Sequence, residues 1–369
     1  MAPTGQSMRK REVAIYVLCV LSLVAFPLVR VFALRPLKIK DEMLRASALM
    51  NKASETIRLC REAKGVPINR RDDINQTGLI GLEWSLITTS LGNLEAKRTT
   101  TNPNFAGLIV SLLDEAGVKK GDTIAIGASS SFPALIVASL CAARIMELKT
   151  RLICSLGASQ WGANDPGFHW LDIQQCLFRA GIAGVEPVAL SLGGDRDVGK
   201  DMSPEGCSLL REEAQESGAR FLDEPDLARN VEDRLRLLGV NSPDPKIKAF
   251  VNIGGGYANM GTDSEILRVP PGLAAFGRLP APERRGVIFE MAARRIPVIH
   301  LLYVKGISER YGLPWDPRPL PPPGEGGIYS RKAFARFPFF IIAGAYFALL
   351  VVFTLLTRYH NRLDALVGL

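Results

Sequence analysis

"GDTIAIGASSSFPALIVASLCAA" (residues 121–143) runs from a polar turn through a short Ile-rich segment into three serines and then an apolar stretch opened by Pro133. The first apolar segment is too short for a helix and is closed by small residues, so it reads as a buried strand. The second has the length and composition of a helix. Such a strand–loop–helix unit gathers hydroxyls and backbone N–H groups at one point, where they can hold an anion, present a nucleophile or cap the helix. Ser131, just before Phe132-Pro133, is expected to be the N-cap, with proline near the first helical position.

The same unit recurs along the chain. Four further apolar runs, "RLICSLG" (151–157), "PVALSLG" (187–193), "AFVNIG" (249–254) and "PVIHLL" (297–302), alternate with expected helices over 132–148, 169–181, 204–217, 226–239 and 282–295. A further helix is expected over 41–63, with Asp41 and Glu42 in its first turn. Strands that are continuous in Val, Ile and Leu, separated by helices, predict an α/β domain built on a doubly wound, mostly parallel sheet covered on both faces.

Both ends are different. Residues 13–34 form an apolar run preceded by "RKRE"; about 17 residues stand before Arg30, close to the minimum for a membrane-spanning helix. Residues 338–357, "PFFIIAGAYFALLVVFTLLT", carry no charge and are closed by "RYHNR", as a span and its stop would be. The reading is therefore a basic tail (1–12), an uncleaved transmembrane helix (13–34), an α/β domain (41–313), a Pro-rich linker with a basic flank (314–337), a second transmembrane helix (338–357) and a basic tail (358–369). The formal charge of +8 is concentrated beside the apolar segments, which fits membrane flanks better than nucleic acid, and no nucleic-acid-binding motif is present. Basic residues at the outer ends of both spans put the termini in the cytosol and the domain on the extracytoplasmic side of a cell (inner) membrane. The loop cysteines Cys60, Cys141, Cys154, Cys176 and Cys207 show no disulfide framework and argue the other way, for a reducing compartment. Without C-x-x-C pairs or clustered histidines, no metal site and no cofactor are expected.

In an open parallel sheet, ligands collect at the carboxyl ends of the strands. There the chain places "GASSS" (127–131), "SLGASQWGAND" (155–165), "SLGGDRD" (191–197) and "NIGGGYANMGTD" (252–263). The candidate ligand-binding residues are Ser129, Ser130 and Ser131, Ser159, Asn164 and Asp165, Gly193, Gly194 and Asp195, and Asn252, Gly254, Gly255, Gly256 and Asn259. Gly127-Ala128-Ser129-Ser130-Ser131 matches only the first half of a G-x-S-x-G nucleophile elbow. Catalytic candidates are accordingly Ser129, with Asp165 and His169 as an acid/base pair. The glycines of "NIGGGYANMG" fit neither a dinucleotide fingerprint nor a P-loop.

Taken together, "GVKKGDTIAIGASSSFPAL", "CSLGASQWGANDPGFHWLDIQQCL" and "VNIGGGYANMG", set between two apolar ends, resemble the poly-γ-glutamate system protein family. That resemblance implies a membrane protein working in poly-γ-glutamate synthesis, export or release, with other membrane subunits of the synthase, the bilayer and the anionic polymer or its precursor as partners. It supplies no catalytic residues. Two alternatives stay open: an enzyme, hydrolase or amide-bond transferase, acting on the γ-glutamyl chain, and a sugar-phosphate-binding membrane protein similar in layout to sugar-isomerase domains. "GVKKGDTIAI" is also similar to the early segment of acyl-adenylating enzymes, but no adenylate-binding motif follows it.

Overall fold

The computed structural model describes residues 5–36, 39–242, 246–330, 332–334 and 336–367. It divides into one unit over Ile39–Tyr329 and a second made of the two chain ends, Met1–Lys38 and Ser330–Leu369.

The first unit is built on a seven-stranded sheet. Its strands are β1 (Thr123–Ser129), β2 (Lys149–Ser155), β3 (Ala189–Ser191), β4 (Phe221–Leu222), β5 (Ile247–Ile253), β6 (Gly272–Leu273) and β7 (Val298–Leu301). They lie in the order β4-β3-β2-β1-β5-β7-β6. All neighbours are parallel except β6, which pairs antiparallel with β7. Successive strands run outward from β1 to β4, and the chain then returns to the other side of β1 to lay down β5. The order therefore reverses between β1 and β5, and that is where crossover loops diverge and leave a crevice. Register aligns Ser129 with Ser155 and Ser155 with Ser191 across β1, β2 and β3. On the other side it sets Gly127 against Asn252 and Asn252 against His300.

Ten helices of this unit are α1 (Lys40–Ala63), α2 (Leu94–Thr100), α3 (Asn104–Glu115), α4 (Pro133–Ile145), α5 (Trp170–Arg179), α6 (Pro204–Glu216), α7 (Leu227–Leu237), α8 (Tyr257–Met260), α9 (Val287–Ala293) and α10 (Val304–Tyr311). Helices α1, α3 and α4 pack on one another. Residues Pro133–Ala143 of α4 and Asn104–Leu113 of α3 are all buried. Helices α7 and α9 supply Val231, Leu235, Val287 and Met291 to a core shared with Ala125, Ile153 and Phe250 of the sheet. Burying these aliphatic side chains contributes on the order of 1.5–3 kcal/mol each.

Three expectations are corrected. Ser131 is not the N-cap of α4: that position is Phe132, without a side-chain cap, followed by Pro133. The Ser131 hydroxyl is already taken by tertiary partners, described below. The Pro-rich stretch is not a free linker but part of the domain unit. Asp316 pairs with Arg98 (Nε–Oδ1 2.6 Å), Asn104 donates to the Pro322 carbonyl at 3.0 Å, and Tyr329 donates to Asn104 at 2.7 Å. Finally, Cys60 and Cys176 are disulfide-bonded, with their Cα atoms 6.3 Å apart. They lie 116 residues apart in the chain, so spacing gave no sign of the pairing, and the argument for a reducing compartment loses its ground.

The second unit holds a helix over Gly5–Leu28 that continues as a π-turn through Ala33, and a helix over Arg336–Val367. Windows Ile15–Phe32 and Phe337–Leu356 have mean hydropathies of 2.4 and 2.6, with none of either buried. Each is long and apolar enough to cross a membrane. Ser22 and Tyr346 share a hydrogen bond of 2.8 Å, and Leu34–Pro36 pairs antiparallel with Lys332–Phe334. The expected basic tails 1–12 and 358–369 fall partly outside the described residues.

Candidate functional site

Strand β1 ends at Ser129, and the chain turns through Ser130 and Ser131 before α4. The three hydroxyls part company there. Ser130 points inward: it is fully buried, and both its N–H and its hydroxyl donate to the Ser155 carbonyl, at 3.0 and 2.6 Å. Ser129 donates to Ser131 Oγ at 3.0 Å and accepts from Ser131 N at 3.2 Å. Ser131 Oγ also accepts from the backbone N–H of Ser159 at 2.9 Å, which brings the loop after β2 onto the serine turn.

Lys97 completes this cluster. It lies on α2, whose N-cap Asn93 accepts from Ala96 N at 2.7 Å. Its ammonium nitrogen reaches the Ser131 carbonyl and lies 2.7 Å from Ser159 Oγ, with the Phe132 ring centroid 4.1 Å away. Among the described residues Lys97 forms no ion pair, and it is only 3% exposed. Burial without a carboxylate disfavours the charged form and brings its pKa down to about 7.

These groups open into a cleft of about 960 Å³ over the carboxyl ends of β1, β2 and β5, at the reversal of strand order. Ser129, Ser131, Ser155 and Ser159 form its hydroxyl-rich part, with Lys97 and Phe132 beside them. Gly194, Asp195 and Asp201 line another wall, and Gly255, Gly256 and Tyr257 a third. The segment Thr89–Asn93, Tyr303, Lys305 and Trp315 complete the rim. Gly254 precedes the third wall with φ +80°, a conformation that favours glycine, and a Cβ there would stand 3.1 Å from Ser129 Cβ, a tight contact.

Of the residues expected to form the site, Ser129, Ser131, Ser159, Gly194, Asp195, Gly255 and Gly256 line this cleft. Ser130, Gly193, Asn252, Gly254 and Asn259 lie at the same strand ends but do not line it. Gly193 packs against Ser155, where a Cβ would be 2.9 Å from Ser155 Cβ. Asn252 is buried, donating to the Gly254 carbonyl at 2.9 Å and standing 3.0 Å from His300 Nδ1. Burial lowers the His300 pKa to about 4 and keeps that ring neutral.

Asn164, Asp165 and His169 do structural work instead. Asn164 is fully buried and clamps the segment before α2, donating to the Leu82 carbonyl (2.9 Å) and Thr88 Oγ1 (2.8 Å) and accepting from Leu82 N (2.9 Å). Asp165 pairs with Arg61 at 2.6 Å. His169 is the N-cap of α5 in a capping box with Asp172, and its Nε2 meets Glu213. The expected Asp165–His169 acid/base pair does not form, because each side chain already has a partner from a distant segment. Among the described residues a catalytic Ser129 has no histidine partner either: its hydroxyl bonds Ser131. What sequence reasoning missed is Lys97, together with the 89–93 rim and the aromatic residues Tyr303 and Trp315. A lysine in "LEAKRTT" reads as an ordinary helix-surface cation, and nothing local marks it as buried.

Comparison of the chain with known protein families, curated proteins and solved structures returns no match. The chemistry of the cleft therefore rests on its own residues. Among the described residues no His, Cys, Asp or Glu side chains gather in a metal-binding group. The cleft instead offers hydroxyls, one buried lysine and aromatic rims, a set suited to an anionic or amide-bearing ligand of several residues' length.

Proposed function

We propose that the chain is a two-span membrane protein whose extracytoplasmic α/β domain holds an acidic γ-glutamyl chain in this cleft. It would act as an accessory component of poly-γ-glutamate synthesis, export or release. The observation that carries the reading is the cleft at the β1–β5 reversal, lined by serines around a lysine that has no carboxylate partner among the described residues. A ligand carboxylate would supply that partner, and Lys305 adds a second cation at the rim. Asp195 and Asp201, which also line the cleft, would repel carboxylates and so favour their placement at Lys97. Trp315 and Tyr303 can pack along its methylene stems. The Cys60–Cys176 disulfide favours an oxidising compartment for the domain, and the resemblance drawn from "GASQWGANDP" and its companion motifs supplies the polymer.

Titration calorimetry on the full chain in lipid nanodiscs tests this with γ-linked and α-linked glutamate oligomers of equal length. The γ-linked series should bind, and bind more weakly as salt rises, since part of the attraction is between partly exposed charges. Lys97→Met should weaken it. Indifference to the γ-oligomers, with tight binding of a hexose phosphate, would replace this reading with the sugar-phosphate one.

A further inference from the structure

We propose that Ser159 and Lys97 are a nucleophile and its general base, and that the cleft cleaves or transfers an acyl group through a Ser159 ester, with a γ-linked amide as substrate class. The choice of substrate rests on the γ-glutamyl reading above; the pairing of the two side chains does not.

Ser159 Oγ and Lys97 Nζ are 2.7 Å apart, within direct proton-transfer reach, and both line the cleft. The two residues are 62 positions apart in the chain, and each is held from a second direction. Ser159 N donates to Ser131 Oγ at 2.9 Å, and Gly162 N closes the turn behind it by donating to the Ser159 carbonyl at 2.9 Å. Lys97 Nζ donates to the Ser131 carbonyl and lies against the Phe132 ring. Ser131 thus orients the nucleophile with its hydroxyl and the base with its carbonyl, as a positioning residue.

A purely structural side chain here would not need to be a lysine. Burying an ammonium without a carboxylate costs stability, and a methionine would fill the same space. The other titratable or charged groups that face this region are Asp195, Asp201, Tyr257, Tyr303 and Lys305 on the cleft wall, with Glu95 and Arg98 on Lys97's own helix. Arg98 is engaged by Asp316. Desolvation alone accounts for the lowering of the Lys97 pKa to about 7, a range in which the amine is free to accept a proton near neutrality.

In the first step the substrate's amide, rather than a carboxylate, sits at Lys97, its carboxylates lying toward Lys305, and the neutral Lys97 amine takes the Ser159 proton as Oγ bonds to the amide carbonyl carbon. The resulting ammonium then gives that proton to the leaving nitrogen as the C–N bond breaks, leaving an acyl ester on Ser159 and a free amine. In the second step water, or a second amine if the reaction is a transfer, attacks the ester with Lys97 again accepting the proton. The C–O bond to Ser159 breaks, and the proton returns to Ser159 Oγ. No oxidant, reductant or metal is required.

A fluorophosphonate probe on the purified full chain in nanodiscs tests the pair without any need to know the substrate. Ser159 Oγ displaces fluoride from phosphorus, and peptide mass spectrometry locates the adduct. The adduct should map to Ser159, form faster as pH rises through about 7, and slow by roughly 10²- to 10⁴-fold in Lys97→Met. His169→Gln should react as the parent does. An unmodified Ser159 at about pH 8.5, where the amine is free, in protein that melts cooperatively overturns the proposal. So does an adduct on Ser129 or Ser131. Because site mapping and the pH profile use the parent chain, misfolding of a variant does not remove the test. Addition of γ-glutamate oligomers separates the two readings. A reactive Ser159 that the oligomers do not protect keeps the pair and removes the γ-glutamyl substrate. Oligomer binding with an inert Ser159 keeps the binding site and removes the chemistry.

Discussion

Gly162 lies so close to the serine turn that a Cβ on it would stand 2.9 Å from Ser131 Cα and 3.0 Å from the Ser130 carbonyl oxygen. The contact is backbone against backbone, tied by a 2.9 Å bond from Ala163 N to the Ser130 carbonyl, so neither side can swing away as a flexible side chain could. Gly162→Ala should force the two loops apart and lower stability by about 1–3 kcal/mol, the usual range for overpacking. It should also slow fluorophosphonate labelling of Ser159, since the turn that aims Ser159 at Lys97 would move. Thermal melting with labelling on the same samples checks both. A variant that melts and labels as the parent does would show that the loops have room to spare.

Lys97 makes a pH prediction whose sign follows from burial. Its folded pKa of about 7 lies below the ordinary value of 10.5. Between those two pH values the unfolded chain holds a proton that the folded chain has shed, so the parent gains stability as pH rises across that window. Below it, both states are protonated and the penalty for burying the charge is at its largest. Lys97→Met has no such penalty. Its stability advantage over the parent should be greatest below pH 7 and should shrink steadily toward pH 10.5. Urea unfolding of both proteins at about pH 6, 8 and 10 measures the difference, within the linear-extrapolation scheme. A methionine variant less stable than the parent at the acid end would mean that the folded protein stabilises the ammonium.

How much of this is legible in the sequence depends on whether the signal is local. Strands β1, β2 and β5 announce themselves as buried apolar runs, and their carboxyl-end loops follow from the alternation with helices; hence Ser129, Ser131, Ser159 and Gly255 fall at the cleft. Strands β4 and β6, Phe221–Leu222 and Gly272–Leu273, are too short to leave a pattern. Helix α3 is buried nearly all round, and so lacks the one-sided stripe by which a helix is read. Lys97, the Arg61–Asp165 pair and the Cys60–Cys176 bond all join segments far apart in the chain. Asp165 and His169 suggest a pair because they are neighbours in sequence. Each turned out to be held by a residue from elsewhere, Arg61 and Glu213 respectively.

That difference in role gives a prediction for Asp165. Arg61 is 3% exposed, and burial depresses its pKa despite the attraction of Asp165 and Asp73. Asp165→Asn would leave the guanidinium short of its closest carboxylate, at a cost of about 3–5 kcal/mol, typical of breaking a buried pair from one side. Reactivity of Ser159 in the folded fraction should be unchanged, because Asp165 does not line the cleft. Melting temperature and labelling rate should therefore separate. A loss of labelling without a loss of stability would return Asp165 to the chemistry.

The last prediction concerns the compartment. The disulfide joins α1 to α5 across 116 residues, and closing so long a loop commonly stabilises a domain by about 2–5 kcal/mol. Cys176→Ser should lose stability in that range, and reductant should bring the parent down to the same level without further harming the variant. Such a bond persists in an oxidising compartment, as the proposed extracytoplasmic placement of the domain requires. A thiol placed at the exposed Glu325 of the domain unit should then react with a membrane-impermeant maleimide in intact cells. Free Cys141 and Cys154, buried and with thiol pKa values pushed up to about 12, should stay silent, and the less buried free thiols Cys19 and Cys207 are replaced by serine in the labelled protein. If Glu325→Cys is labelled only after the cells are lysed, the domain faces the cytosol, and the binding partner must be sought among precursors made there.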